Sequence, residues 1–306
     1  MRKLFTILIV TIAAISCGKI KDAHNTLNDI ETFINERPDS ALTILDSFDT
    51  SLLKIKRIWA HHSLLHAQAK DKCYIDETND SLMTHVVNYY EGKRDKDKLF
   101  KAYYYLGRIQ YNAYDYAASM LSYTKAEQII DKIDDDFIKG LLHAQLGALH
   151  HKYFDYQRSM ESYDKARIYY EACNKQSHVH FIKLDMGLNY QEQRKYQTAE
   201  LLYRDVMKWA FENGQYSLCE EALGLLISLY GETNQLSQSI KLINSEYGNI
   251  NPDNIYVLRG KLLESANNGS LDENIKYQKE IWESAKTISD TINNYYNISL
   301  VSGKNL

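Results

Sequence analysis

The feature that most constrains this chain is a 40-residue repeat through its middle. Asp115-Tyr116 returns as Asp155-Tyr156, Ser119-Met120 as Ser159-Met160, Ser122-Tyr123 as Ser162-Tyr163 and Lys125-Ala126 as Lys165-Ala166, each at an offset of 40. Leu106-Gly107 and Leu146-Gly147 keep that offset, and Met186-Gly187 and Leu226-Ile227 continue it. Lys195-Tyr196, Ala199, Tyr203 and then Leu236, Ser239 and Ile243 fall in the matching downstream positions. A period of this kind makes each copy one supersecondary unit whose apolar face is buried only by stacking on its neighbours.

Within a copy the large residues follow a helical period. Tyr103, Leu106, Gly107, Gln110 and Tyr111 share the face of a first helix, and Tyr116, Ser119, Met120, Tyr123 and Ala126 that of a second, with residues 112–115 as the turn. Gly107 lets a neighbouring helix approach closely. Composition agrees: 2 prolines and 13 glycines in 306 residues are too few to punctuate a turn-rich sandwich or barrel, and 44% hydrophobic with 25% charged residues describes a globular body. The chain reads as all-α.

This pattern resembles the tetratricopeptide repeat: an aromatic, Leu-Gly three residues later, another aromatic, then small, aromatic and small residues on the second helix. The resemblance is good over 100–127 and 140–166, fair over 180–206, where Val206 replaces the last small residue, and degenerate over 220–246, where Ile227 replaces glycine. It implies a tetratricopeptide-like α-solenoid. The usual period is about 34 residues, so the longer one here implies longer helices or longer turns between repeats.

The flanks read as further hairpins. Leu27, Ile30, Phe33 and Ile34 form an apolar stripe, and Pro38 opens a helix bearing Ala41, Leu42, Ile44 and Leu45. Trp59, Leu64, Leu65 and Ala67 mark another first helix, answered by Leu82, Val86, Tyr89 and Tyr90. Near the end Asn251-Pro252 reads as a cap ahead of Leu258, Leu262 and Leu263, and a last helix carries Ile275, Ile281, Trp282 and Ala285. The total is about seven helical hairpins.

The start of the chain is an address. Arg2 and Lys3 precede an apolar run from Leu4 to Ile15, too short to span a bilayer as a helix, and small Ser16 leads into Cys17. Ala14-Ile15-Ser16-Cys17 resembles the bacterial lipobox, with alanine where leucine is usual. The resemblance implies that Cys17 is lipidated and tethers the protein to a membrane, the bacterial outer membrane, facing the periplasm. An ordinary cleaved signal is the alternative. The resulting division is a signal peptide over 1–16, a tether over 17–26, degenerate hairpins over 27–95, the repeats over 96–247 and a C-terminal hairpin and tail over 248–306. The phrases 36–42 (ERPDSAL) and 76–82 (DETNDSL) extend the resemblance to a group of Gram-negative tetratricopeptide lipoproteins.

Motifs for chemistry are missing. There is no GxxxxGK[ST] phosphate loop, GxGxxG turn, HExxH helix or GxSxG elbow, so the expectation is a binding protein without cofactor rather than an enzyme. His62 and His66 share a helix face but lack a third ligand, and Asp134-Asp135-Asp136 lacks the spaced oxygens of a calcium loop, so no metal is expected. Cys73, Cys173 and Cys219 have no CxxC spacing and read as buried thiols, with a disulfide between Cys173 and Cys219 as the alternative in an oxidising compartment. A net charge of -4 argues against binding dominated by nucleic-acid phosphates.

What remains is the groove that the first helices line in the family. Carried over residue by residue, the resemblance places Lys101, Tyr104, Tyr105, Arg108, Tyr111 and Asn112 there, then Gln145, Ala148, His151 and Lys152, then Asp185, Leu188 and Gln191. Aromatic and arginine side chains on such a surface are the types that dominate interface energies. The leading expectation is a membrane-anchored scaffold that holds a protein or peptide partner. The alternatives are a glycan-binding or nutrient-capture lipoprotein and the shortened sensor ectodomain of a signalling protein.

Overall fold

The computed structural model describes residues 2–242 and 255–284. Its fourteen α-helices follow one another as seven hairpins: α1 (Arg2–Phe33) and α2 (Pro38–Asp46), α3 (Lys56–Lys72) and α4 (Ser81–Glu91), α5 (Lys96–Asn112) and α6 (Tyr116–Glu127), α7 (Asp136–Lys152) and α8 (Tyr156–Ala172), α9 (Gln176–Glu192) and α10 (Tyr196–Glu212), α11 (Tyr216–Glu232) and α12 (Leu236–Leu242), α13 (Ile255–Asn267) and α14 (Leu271–Ser284). No strand occurs among the described residues, and the fold is the tetratricopeptide-like α-solenoid that the repeat implies. The chain forms two compact units, Met1–Cys173 and Asn174–Leu306.

The 40-residue period has a simple origin. From α7 to α11 every helix is 17 residues long and every turn between them three, so two helices and two turns make one copy. The residues beyond the usual period lengthen helices, not turns. Each three-residue turn holds its middle residue in the left-handed region: Tyr114 (φ 61), Phe154 (φ 58), Asn174 (φ 56), Arg194 (φ 59), Gly214 (φ 66) and Asn234 (φ 56), with Tyr74 (φ 57) equivalent at the end of α3. That twist lets the next amide reach back five residues, as Asp115 N does to Gln110 O (2.9 Å) and Asp155 N to His150 O (2.9 Å), closing the orphan carbonyls of the first helix. Asp115 and Asp155 then cap the second helix, accepting from Ala118 N (3.0 Å) and Arg158 N (3.1 Å). Glycine or asparagine is the usual occupant of the left-handed position. Tyr74, Tyr114 and Phe154 hold it here, and all three side chains are exposed.

Helix-to-helix contact inside a copy depends on one pairing. A Cβ on Gly107 would stand 2.4 Å from the Tyr123 ring, one on Gly147 2.5 Å from Tyr163 and one on Gly187 2.3 Å from Tyr203, so each glycine of the first helix is the floor on which a second-helix tyrosine lies. Ser119 and Ser159 lock the same crossing by donating to the carbonyls of Gly107 and Gly147, both at 2.8 Å. Tyr103, Tyr123, Tyr163 and Tyr203 are buried accordingly.

At the flanks the structure redraws some expectations. The stretch 17–26, expected as a tether, is part of α1, and Ile20 and Ala23 already pack with Leu27, Ile30 and Ile34 in the first core, because helical spacing extends the stripe one turn further back. Leu45 and Ala41 join that core, whereas Ile44 is exposed; Val86 and Tyr90 are buried, whereas Leu82 is exposed. In the last hairpin Leu258, Leu262 and Ile281 form the core, and Ile275 and Trp282, expected on its apolar face, are exposed. Asn251, Pro252 and Ala285 lie outside the described residues. Cys219 is buried as expected, but Cys73 and Cys173 are only half-buried. No helix among the described residues is long and apolar enough to cross a membrane.

Two opposite stability effects follow. Gly147→Ala should lower the melting temperature, since forcing a methyl against the Tyr163 ring costs about 1–3 kcal/mol. Phe154→Gly should raise it, since glycine relieves a left-handed conformation that costs other residues about 1 kcal/mol. Thermal denaturation followed by circular dichroism reads both.

Candidate functional site

In the first unit the first helices meet through charge. Glu31 on α1 accepts from Lys101 Nζ on α5 (2.8 Å) and lies 3.3 Å from His61 Nε2 on α3 and 3.5 Å from Lys98 Nζ. Burial alone would raise the Glu31 carboxyl, but the His61 hydrogen bond and the Lys101 and Lys98 cations outweigh it and hold the group well below the usual carboxylate range. One repeat further on, Arg108 Nε donates to Asp71 Oδ1 on α3 (2.7 Å) and Arg108 Nη1 to Gln145 Oε1 on α7 (3.2 Å). Lys101, Arg108 and Gln145, expected to await a partner, thus bridge first helices, Lys101 tying α5 to α1 and Arg108 tying α5 to α3 and, through Gln145, to α7. The gap left beside Arg108, Tyr105, Asn112 and Asp71 is about 10 Å³, room for no more than one water.

Tyr104 and Tyr105 correct the expectation outright. Both are 2% exposed and belong to the core rather than the groove. Their rings cross edge to face at 5.0 Å, and Tyr104 leans on Tyr123 at 5.9 Å. Burial pushes both phenols up. The reason is bulk: at positions between neighbouring first helices a tyrosine fills the gap, where a smaller residue would leave the face open. Tyr111 and Asn112 are half-buried, and the Tyr111 ring packs on Tyr116 at 5.2 Å. Ala148 and His151 are half-buried, His151 lies 6.0 Å from the Tyr156 ring, and Lys152 is exposed.

The second unit differs. Gln191 is buried and committed, accepting from the Tyr203 hydroxyl (3.0 Å) and donating to Glu232 on α11 (2.7 Å), which ties the ends of α9 and α11 together. Asp185 and Leu188 are half-buried on α9. Burial, with the nearby Glu221 carboxylate, pushes Asp185 up to about 7, and burial raises Glu221 on α11 as well. Among the described residues no hydrogen-bond donor or cation meets either carboxyl.

Glu31, Asp71, Glu221 and Glu232 were missed as members of this face. Their signal was the register itself: Glu31 and Asp71 stand at offsets of 40 from Tyr111, His151 and Gln191, and Glu221 stands 120 residues from Lys101. Cys17 lies within α1, and its side chain is outside the described residues.

No protein-family model matches the chain, and no curated protein matches it. Solved structures do. The apo form of RapI superposes with a TM-score of 0.68 at 12% identity, covering 92% of this chain and 81% of that one. NprR in complex with its cognate peptide NprX gives 0.55 at 12% identity, covering 92% and 82%. The Rap conjugation gene regulator of the plasmid pLS20 in complex with the Phr* peptide gives 0.54 at 16%, covering 92% and 80%. The likeness is one of fold.

Arg108→Ala should destabilise the first unit by about 2 kcal/mol, because it leaves the Asp71 carboxylate without its donor; a urea titration measures it. Glu31 is depressed, so its contribution is complete above its unfolded value of about 4.3 and is lost as pH falls toward the folded one. Wild type should therefore lose stability on acidification below about pH 5 more steeply than Glu31→Gln, as parallel denaturant midpoints at several pH values would show.

Proposed function

We propose that this protein is a membrane-anchored scaffold that binds a peptide or a peptide-like segment of a protein along its first helices, tethered through a lipidated Cys17 to the outer membrane and facing the periplasm. The fold carries the reading: stacked hairpins present their first helices side by side, so an extended segment lying across them meets one set of side chains per repeat. The similar structures of NprR and of the Rap conjugation gene regulator are complexes with peptides, NprX and Phr*, which supports a peptide as the class of partner. Motif content supports binding over catalysis. The lipid tether rests on the sequence Ala14-Ile15-Ser16-Cys17 after a charged and apolar leader.

Of the residues expected from sequence, Lys152 of the first unit is exposed, and Asp185 and Leu188 of the second are half-buried. Tyr104, Tyr105 and Gln191 serve packing. The full-length protein in detergent micelles should select binders from a displayed library of random peptides. Leu188→Lys should weaken the selected peptides at least about tenfold without lowering the melting temperature. Failure to select any peptide, or binding indifferent to Leu188, would overturn the reading. Separately, Cys17→Ala should move the protein from the membrane to the soluble fraction; retention at the membrane argues against a lipid tether.

A further inference from the structure

The turn that closes each first helix needs one left-handed residue, and Arg194 and Asn234 supply it in the second unit. At the matching positions of the first unit stand Tyr74, Tyr114 and Phe154, 40 residues apart, at φ 57, 61 and 58. Their side chains are 93%, 80% and 72% exposed. Neither packing nor turn geometry accounts for them: a ring left in water gains nothing from burial, and a bulky residue in the left-handed region is costlier than glycine or asparagine. A local cost repeated in three successive copies points to a use. Two of the rings are also braced. Tyr114 meets Tyr116 edge to face at 6.3 Å and Phe154 meets Tyr156 at 6.4 Å, and these props lean in turn on Tyr111 (5.2 Å) and His151 (6.0 Å).

Beside two of these turns the surface opens. A cleft of about 540 Å³ lies between α6, α7 and the start of α8, floored by Met120 and Leu146 and reaching Tyr153 and Asp155 in the turn that carries Phe154. Its volume is of the order of small-ligand sites. The charges in it are already paired, Asp155 with Arg158 (3.6 Å) and Glu127 with Lys165 (3.4 Å), so a ligand needs no net charge to fit. Hydrogen bonds are still on offer. The Arg158 guanidinium is mostly exposed. Thr124 Oγ1 donates to Met120 O (2.8 Å) and keeps its lone pairs. The His150 ring, held neutral by burial, makes no hydrogen bond among the described residues and has one donor and one acceptor to give.

We propose that this cleft and the rings beside it bind a neutral saccharide, with one sugar ring against Tyr153, its hydroxyls on Arg158, His150 and Thr124, and the chain continuing over Phe154 and Tyr114. A sugar ring presents C–H bonds on its face and hydroxyls at its edge, which is what isolated aromatic faces next to paired, uncharged-on-balance polar groups can take up. Other partners suit the place less well. Asp115 and Asp155 stand beside two of the rings and repel phosphates. The rings stand singly in water, without the desolvated apolar centre on which a protein interface depends. Glu31 meets His61 and Asn35 meets Gln68, so α1 and α3 run the same way, and a bilayer holding Cys17 at the start of α1 would lie roughly 25 Å from the turn end. The site is separate from the first-helix face and independent of the peptide reading.

The test presents the full-length protein, in micelles of a sugar-free detergent, to an array of oligosaccharides of glucose, galactose, mannose and N-acetylglucosamine in α and β linkage, with uronate and sulfated chains alongside, and follows the hits by titration calorimetry. Neutral chains should bind. Phe154→Gly should weaken them at least about tenfold although it melts higher than wild type, so the loss is not one of folding. Arg158→Met, at an exposed side chain, should lose a similar factor with the melting temperature unchanged. Peptides selected on the first-helix face should bind both variants as they bind wild type. If no neutral oligosaccharide binds, if acidic chains bind more tightly, or if either variant binds as wild type does, the inference fails. It fails equally if peptides from the displayed library, rather than sugars, are the ligands lost on Phe154→Gly, which would make this edge a protein-docking surface.

Discussion

The repeat depends on a tyrosine lying flat on a glycine. Because Gly107, Gly147 and Gly187 have no side chain, the rings of Tyr123, Tyr163 and Tyr203 reach the backbone of the first helix, and the two helices of a copy close to a distance that any Cβ would prevent. Once that distance is set, Ser119 and Ser159 come within reach of the glycine carbonyls, and their hydroxyls are buried with partners. The fourth copy exchanges both members at once: Ile227 stands in place of the glycine and Ile243 in place of the tyrosine. Ile227 and Leu226 remain buried all the same, so the first helix of that copy keeps its packing face after the signature is gone.

The second constraint is the length of the turns. Three residues can reverse a helix only if the middle one is left-handed, and the chain accepts Tyr, Phe and Arg there as well as Gly and Asn. The turns at Tyr74, Tyr114, Phe154, Arg194, Gly214 and Asn234 end in an amide that reaches back five residues, so the geometry is maintained by hydrogen bonds whose donors and acceptors are backbone. Side-chain identity at the turn is free to vary. That freedom is why no glycine marks most of the turns in the sequence.

Much of the fold was legible because period and residue size report on packing directly. The hairpins, the close glycine contacts and the burial of Tyr103, Tyr123 and Tyr163 follow from a register that repeats every 40 residues. What escaped was whatever depends on the neighbouring copy. Tyr104 and Tyr105 stand at positions that in tetratricopeptide repeats face the groove, but whether a side chain at such a position projects or fills is decided by the gap between first helices, and the gap depends on residues 40 positions away. Arg108 has the chemistry of an interface anchor; only the nearness of Asp71 and Gln145 shows that its hydrogen bonds are already made. The pattern of a single repeat contains neither fact.

The same dependence separates the two units. Successive first helices stand side by side, so charges at matched positions either neutralise one another or add. In the first unit they neutralise: Asp71 late on α3 meets Arg108 on α5, and Glu31 late on α1 meets Lys101 on α5, the face is stiffened by ion pairs, and each pair is worth more here than at an open surface because both partners are largely buried. In the second unit the position that holds Lys101 in the earlier copy holds Glu221, and its neighbour Asp185 is also an acid. A face that is closed by its own side chains has little left to offer a partner, whereas the second unit's face has half-buried Leu188 and Leu225 beside Asp185 and Glu221, with no ion pair at that position among the described residues.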